Sequence, residues 1–411
     1  MNVEIHLDGF ILNFEEQNGW EMFNEDDTCV IFKFLLPCDR ERFVDFYRSL
    51  RSMYRERDVS DSEYLHILKT LASKLYGQFS IVLGFPHLSI VVSDITRTFP
   101  VFYGKDRLNR WIISDRAEYV AQRISGYVDE FSLLEFKRAG YVTQHRTLIT
   151  GVHQTEAGTM TLLPKNGAPQ VIRHFTYASN VFYPSDRTNL LSAAQQVLFQ
   201  AFSDYLPILK NRTTVVPLSG GYDSRLIACV LKELGVSDVV CYTYGSADSK
   251  EVQISKEVST KLGFKWIYVP YSKELFQEVL STGLFLDYLR HAHNYSALPH
   301  VQDLFATYYL KKHALVPENA IFVPGHTGDF YSGGHILPGL TLERQFDLRD
   351  AAELIYLYHF YLDVHTRKSA IVKKLQEQLE NEAGNLHTLV EDWDLKNRQA
   401  KYIVNSLRVY E

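Results

Sequence analysis

Cysteine is scarce in this chain of 411 residues: Cys29, Cys38, Cys229 and Cys241 are the four, and no two of them stand in a Cys-x-x-Cys pair. That spacing gives no support to a zinc ribbon or a thiol redox couple. The apolar surroundings of Cys229 and Cys241 predict small core side chains. No apolar run is long enough to cross a bilayer, and Glu4 and Asp8 stand where a signal peptide would carry lysines. A cytoplasmic protein without a membrane partner is therefore expected. Positive charge is not in excess either, since 43 Lys and Arg against 49 Asp and Glu give a net charge of −6. Nucleic-acid-binding domains are usually basic, so no nucleic-acid partner is expected. Internal repeats and low-complexity tracts are absent as well.

What is there divides into two patterns, and the length allows two separate cores. Up to about residue 175 the chain reads mainly as short strands, at 30–35, 79–83, 88–92, 111–113 and 160–163, with helical stretches at 41–54 and 63–75. Many short strands with two helices predict layered sheets rather than a parallel α/β unit. Segment 177–187, holding Pro184, Ser185 and Asp186, reads as a linker between domains 1–178 and 186–411. Beyond it Leu190, Leu191, Ala194, Val197, Leu198, Ala201, Phe202 and Tyr205 recur at helical spacing. Strands and helices then alternate through 239–244, 250–262 and 265–270, which predicts a parallel sheet covered by helices on both faces. From residue 350 onward only helices are expected.

The segment with the most specific chemistry is Thr213-Thr214-Val215-Val216-Pro217-Leu218-Ser219-Gly220-Gly221-Tyr222-Asp223-Ser224. A β-branched run ends in two glycines and then opens a helix, so the backbone can turn tightly and aim amide N–H groups at an anion. The helix that follows points its N-terminus at the same anion. Ser219 and Ser224 can donate to phosphate oxygens, whereas Asp223 would repel phosphate unless a cation lay between them, which predicts Mg²⁺. No lysine follows the glycines, so this is not the usual nucleoside triphosphatase loop. The competing reading is an ordinary strand-turn-helix with a capping Asp.

The hexad Ser219–Ser224 resembles the pyrophosphate loop of the ATP pyrophosphatases, which cleave ATP to AMP and pyrophosphate while adenylating a substrate. Three N-terminal segments extend the resemblance: Tyr76-Gly77-Gln78-Phe79, Ser93-Asp94-Ile95-Thr96-Arg97 with Phe99-Pro100-Val101-Phe102-Tyr103, and Ile113-Ser114-Asp115. They are similar, in order and spacing, to the glutaminase half of asparagine synthetases, and Gly140-Tyr141-Val142 and Gly151-Val152 match the end of that domain. The resemblance implies an Ntn-hydrolase-like layered β-sandwich with helices. A doubly wound parallel-sheet ATP pyrophosphatase domain of the adenine nucleotide alpha hydrolase-like type, with a helical C-terminal part, would follow it.

Carried over residue by residue, the resemblance assigns Leu218, Ser219, Gly220, Gly221, Asp223 and Ser224 to the pyrophosphate loop and Tyr244-Gly245 to adenine. Glu251 is the acidic residue at the next helix start. Pro324-Gly325-His326-Thr327-Gly328-Asp329 resembles the family's second loop, which places Gly325 at the nucleotide and Asp329 with Asp223 on Mg²⁺. His326 and Phe330 stand where relatives carry glutamates. His326 is read either as catalytic or as a histidine bonded to backbone. The run Arg290-His291-Ala292-His293-Asn294 lies where relatives bind their carboxylate substrate. Arg290, His293 and Asn294 are candidates for that contact, against a structural polar turn or a His-x-His metal pair.

The implied activity is an asparagine synthetase-like, AMP-forming amide ligase that uses ATP and Mg²⁺, a small-molecule carboxylate, and ammonia or an amine. Two departures qualify it. Asn2 stands where relatives begin with a nucleophilic cysteine, so a glutaminase relic is expected, fed by free ammonia or by a separate ammonia-supplying protein, with a homodimer as the other partner arrangement. The lysine that assists adenylation is not assignable, with Lys401 and Arg408 as substitutes. The alternative is a catalytically impaired nucleotide-binding scaffold or a partner subunit of an amidotransferase. A tRNA-modifying enzyme with the same loop is a weaker third reading.

Overall fold

Alternating burial builds the first half. The computed structural model describes residues 2–35, 39–54, 62–175, 186–326, 328, 348–363 and 368–386. The N-terminal strands are β1 (Asn2–Leu7), β2 (Phe10–Glu15), β3 (Glu21–Glu25), β4 (Thr28–Phe34), β5 (Phe79–Gly84), β6 (Leu88–Ser93), β7 (Phe102–Lys105), β8 (Trp111–Ser114), β9 (His153–Gln154), β10 (Thr159–Pro164) and β11 (Gln170–Arg173). They form a five-stranded sheet in the order β1-β2-β8-β7-β9 and a six-stranded sheet in the order β11-β10-β6-β5-β4-β3. All pairs are antiparallel except β2 with β8.

Period-two alternation sorts the side chains into layers. Val82, Val91, Phe10, Leu12, Trp111 and Ile113 share one cluster between the sheets. Their neighbours Ile81, Leu83, Ile90 and Val92 turn the other way, onto helices α1 (Asp39–Tyr54) and α2 (Ser62–Ala72). On the far side Ile11, Phe102 and Ile112 pack against α3 (Ala117–Ile124). The result is a four-layer αββα sandwich, and α4 (Glu130–Ala139) lies in the chain between α3 and β9.

The described part of the second half begins with α5 (Arg187–Leu209) and continues through β12 (Thr214–Pro217), α6 (Tyr222–Glu233), β13 (Val239–Gly245), α7 (Lys250–Leu262), β14 (Lys265–Pro270), α8 (Lys273–Ser281), α9 (Leu284–Ala292), α10 (Leu304–Lys312) and β15 (Ile321–Phe322). The four strands form one sheet, order β14-β13-β12-β15, in which every pair is parallel. Two apolar clusters cover its opposite faces: Val215, Val240, Tyr242 and Val269 contribute to one, Val216, Leu218 and Cys241 to the other. This mixed α/β architecture is the expected fold class.

The chain divides into two compact units, Met1–Asn180 with Ala292–Leu298 and Thr341–Glu411, and Val181–His291 with Pro299–Leu340. This differs from the linear limits 1–178 and 186–411. Helices Leu348–His359 and Lys368–Leu386 belong to the first unit because their residues Ala352, Ile355, Tyr356 and Ile371, with Phe360 between the helices, cluster with Leu134 and Ala139 of α4. One sequence expectation is corrected. Cys229 is exposed, since the helical period of α6 turns Ala228 and Leu231 inward, while Cys241 is buried. The helical spacing read for Leu190 to Tyr205 is that of α5, in which Leu190, Leu191 and Val197 are exposed and Phe202 and Tyr205 pack against the core. Among the described residues no helix is long and apolar enough to cross a membrane.

Candidate active site

The site sits at the carboxyl end of β12, where strand order reverses. The chain moves from β12 outward through β13 to β14 and then returns to β15 on the other side of β12. Loops leaving β12 and β15 therefore diverge, and such switch points are where open parallel sheets bind ligands. Here a cavity of about 330 Å³ is lined by Pro217, Leu218, Ser219, Gly221, Asp223 and Ser224 from the first loop and helix. Tyr242, Thr243, Tyr244 and Glu251 line it from β13 and α7, and Gln302, Asp303, Gly325 and His326 from the later loops.

The loop is shaped by its own serines. Ser219 N–H donates to Ser224 Oγ at 3.1 Å, the two hydroxyls lie 3.2 Å apart, and Gly221 N–H donates to Ser219 Oγ at 3.1 Å. Leu218 is anchored on both sides of its peptide: its N–H donates to the Tyr242 carbonyl at 2.8 Å and its carbonyl accepts from Thr243 Oγ1 at 2.6 Å. The Thr243 hydroxyl also meets that of Ser255 on α7, to which Trp266 Nε1 donates at 3.0 Å. A buried polar cluster thus ties the loop to β13, α7 and β14. Helix α6 starts after Gly221, which has no side chain to cap it, so the first-turn N–H groups are left for an anion.

Close packing explains the glycines. A Cβ on Gly220 would stand 3.2 Å from Glu251 Cα, and one on Gly325 would stand 2.8 Å from the Ser224 backbone nitrogen. A Cβ on Gly221 would meet only Ser219 Oγ, at 3.3 Å. Gly245 takes φ +122°, a conformation open to glycine at little cost, and its carbonyl accepts from Tyr268 Oη at 2.7 Å. Tyr244 stacks on Tyr271 with centroids 4.5 Å apart and planes at 9°. Burial, then the charge of Asp303, pushes the Tyr244 hydroxyl well above its ordinary range, so it stays protonated.

The sequence-predicted residues fall into three groups. Leu218, Ser219, Gly221, Asp223, Ser224, Tyr244, Glu251, Gly325 and His326 line one cavity, and Gly220 and Gly245 adjoin it in the chain. Arg290 is not among the lining residues: it lies on an exposed face of α9 with Asp287 at 3.5 Å. His293 and Asn294 carry structural hydrogen bonds in the first unit. His293 Nδ1 accepts from Tyr295 N–H at 2.7 Å and Asn294 Oδ1 from Ala117 N–H at 3.1 Å. Asp329, Phe330, Lys401 and Arg408 lie outside the described residues.

Sequence reasoning missed Gln302 and Asp303. Asp303 precedes α10 and reads in sequence as its N-cap, yet its side chain makes no capping bond.

Residues 210–402 match the model of the asparagine synthase family. No curated protein matches the chain. Similar solved structures include the NH3-dependent NAD synthetase from Campylobacter jejuni in complex with the nitrate ion, 18% identical, TM-score 0.26, covering 51% of this chain and 95% of that one. A predicted subunit of tRNA methyltransferase from Methanocaldococcus jannaschii is 17% identical, TM-score 0.18, covering 40% and 73%. The glutamine phosphoribosylpyrophosphate amidotransferase from B. subtilis complexed with ADP and GMP is 10% identical, TM-score 0.20, covering 63% and 52%. The chain is thus asparagine synthetase-like: residues 210–402, just under half of it, match the asparagine synthase family, a match that implies a ligase of the ATP-pyrophosphatase type.

Proposed function

We propose that this chain is an ATP-dependent, AMP- and pyrophosphate-forming amide ligase that activates a small-molecule carboxylate for attack by ammonia or an amine. The observation that carries the reading is the loop Ser219–Ser224, hydrogen-bonded into a cradle at the switch point of a parallel sheet. The uncapped N-terminus of α6 and the two serine hydroxyls would hold the departing pyrophosphate. Tyr244 and Gly245 would face the adenine.

The residues also fit Mg²⁺. A Cβ built on Gly328 would fall 2.2 Å from Asp223 Cγ, so the backbone next to Asp329 runs directly against the Asp223 carboxyl group. Asp223, with Asp329 from that segment, would hold the ion. When bound, magnesium would neutralise phosphate charge as the pyrophosphate leaves. His326, in the cavity wall, would contact the activated carboxylate.

The test is nucleotide analysis with a panel of carboxylates plus ammonium. AMP and pyrophosphate are expected in equal amounts, and Asp223→Asn should lower the rate at least about a hundredfold. Formation of ADP would refute the reading, and tight ATP binding without AMP for any substrate would turn it toward a nucleotide-binding scaffold.

A further inference from the structure

His300, Asp303 and His326 come together although 26 positions separate the first from the last. Each offers one ligand atom, and the three atoms all lie within 4.8 Å of one another. His300 Nδ1 stands 3.4 Å from Asp303 Oδ2, and the rings of His300 and His326 lie 5.0 Å apart at 69°.

We propose that these three side chains form a transition-metal site, of the zinc or cobalt(II) class, beside the nucleotide cavity. The first argument is donor chemistry. Two imidazoles and one carboxylate suit zinc, iron, nickel or cobalt, whereas magnesium demands oxygen ligands in an octahedron. The second is an unanswered acceptor: Asp303 Oδ1 is buried and has no hydrogen-bond partner, and the carboxylate makes no capping bond to α10. Such an oxygen is costly unless a cation or donor meets it.

Spacing is the third. Metal–ligand distances near 2.1 Å put tetrahedral ligands about 3.4 Å apart, and His300 with Asp303 already stand at that separation. His326 is exposed on the loop after β15, its ligand atom within 4.8 Å of the other two, so that a small side-chain rotation would complete the set. The His300 backbone is held meanwhile, its carbonyl accepting from Tyr288 Oη at 2.8 Å.

Three protein ligands leave a fourth position open, the pattern of catalytic rather than structural sites. Asp303 and His326 also line the cavity, so an oxygen of a bound carboxylate or phosphate is the class of ligand that would fill it.

The test uses tag-free, full-length protein stripped with a chelator and no nucleotide, so its outcome is separate from that of the ligase reading. Cobalt(II) titration followed by visible absorption should show one equivalent bound per chain. One equivalent of zinc should displace it and millimolar magnesium should not. His300→Ala, His326→Ala and Asp303→Asn should each weaken cobalt binding at least about tenfold, with thermal midpoints confirming that each variant folds. Should a variant fail to fold, His326→Gln, on the exposed loop, carries the comparison. Absence of micromolar cobalt and zinc binding, or equal affinity in folded variants, would overturn the proposal.

Discussion

At the scale of single residues, three glycines around the cavity separate folding from binding. At Gly325 the obstacle to a Cβ is backbone, 2.8 Å away at Ser224 N, and at Gly220 it is Glu251 Cα at 3.2 Å. Neither can yield as a side-chain tip would. Gly325→Ala should therefore cost about 1–3 kcal/mol, more than Gly220→Ala, while Gly221→Ala should leave stability within about 0.5 kcal/mol and weaken ATP binding instead. Urea denaturation beside ATP titration checks the order, and equal destabilisation by all three would contradict it.

A second residue, His153 of the first unit, sets a pH dependence. Its Nδ1 is buried without a partner, and its ring lies 5.4 Å from both Tyr103 and His145. Burial, then His145, lowers its pKa from 6.5 to about 4. The unfolded chain takes the proton first, so stability is full above pH 6.5 and is lost as pH falls toward 4. By pH 5 the loss from this group reaches about 2 kcal/mol. The His145–Glu156 pair, 3.5 Å apart, adjoins it through the His145 ring. The measurement is therefore the difference between wild type and His153→Gln at pH 7 and pH 5, and equal losses in both would reject the assignment.

At the scale of elements, the nucleotide loop depends on a side chain it does not contain. Thr243 on β13 donates to the Leu218 carbonyl and shares its hydroxyl with Ser255 and Trp266. Thr243→Val keeps the shape and removes the hydroxyl, taking the side-chain donor from the buried Leu218 carbonyl while Trp266 keeps Ser255. A loss of about 1–3 kcal/mol is expected, with weaker ATP binding because the strand end is no longer pinned. Unchanged ATP affinity would show that the loop holds its form alone.

The parallel sheet was legible from sequence because its strands are short apolar runs between amphipathic helices. Lys250–Leu262 and Lys265–Pro270 fall on the expected residues. β1 and β3 were not, since Asn-Val-Glu-Ile-His-Leu and Glu-Met-Phe-Asn-Glu are polar and partly exposed, and only pairing with β2 and β4 makes them strands. In the site, the glycine-serine loop was legible because its members are consecutive. His300, Asp303 and His326 were not, because chain reversal between α9 and β15 brings them together rather than any spacing.

At the scale of the whole molecule, sequence family and physical packing divide the chain differently. The asparagine synthase match runs from 210 to 402, yet helices Leu348–His359 and Lys368–Leu386 are packed into the N-terminal unit. Phe360 is 1% exposed, with Tyr356 and Tyr141 at 5.8 and 6.0 Å, and the neighbouring Leu362 N–H donates to the Arg138 carbonyl at 2.9 Å. Gln378 Nε2 donates to Thr143 Oγ1 at 3.0 Å, beside the buried Glu135–Arg146 pair at 2.7 Å. These contacts tie the C-terminal helices to α4. Phe360→Ala should therefore cost about 3–5 kcal/mol, and the loss should appear first outside the parallel sheet. In hydrogen exchange, the amides of α4 should lose protection while those of β12 and β13 keep theirs. Early exchange in β12 and β13 with α4 unaffected would mean that these helices stabilise the nucleotide-binding sheet instead.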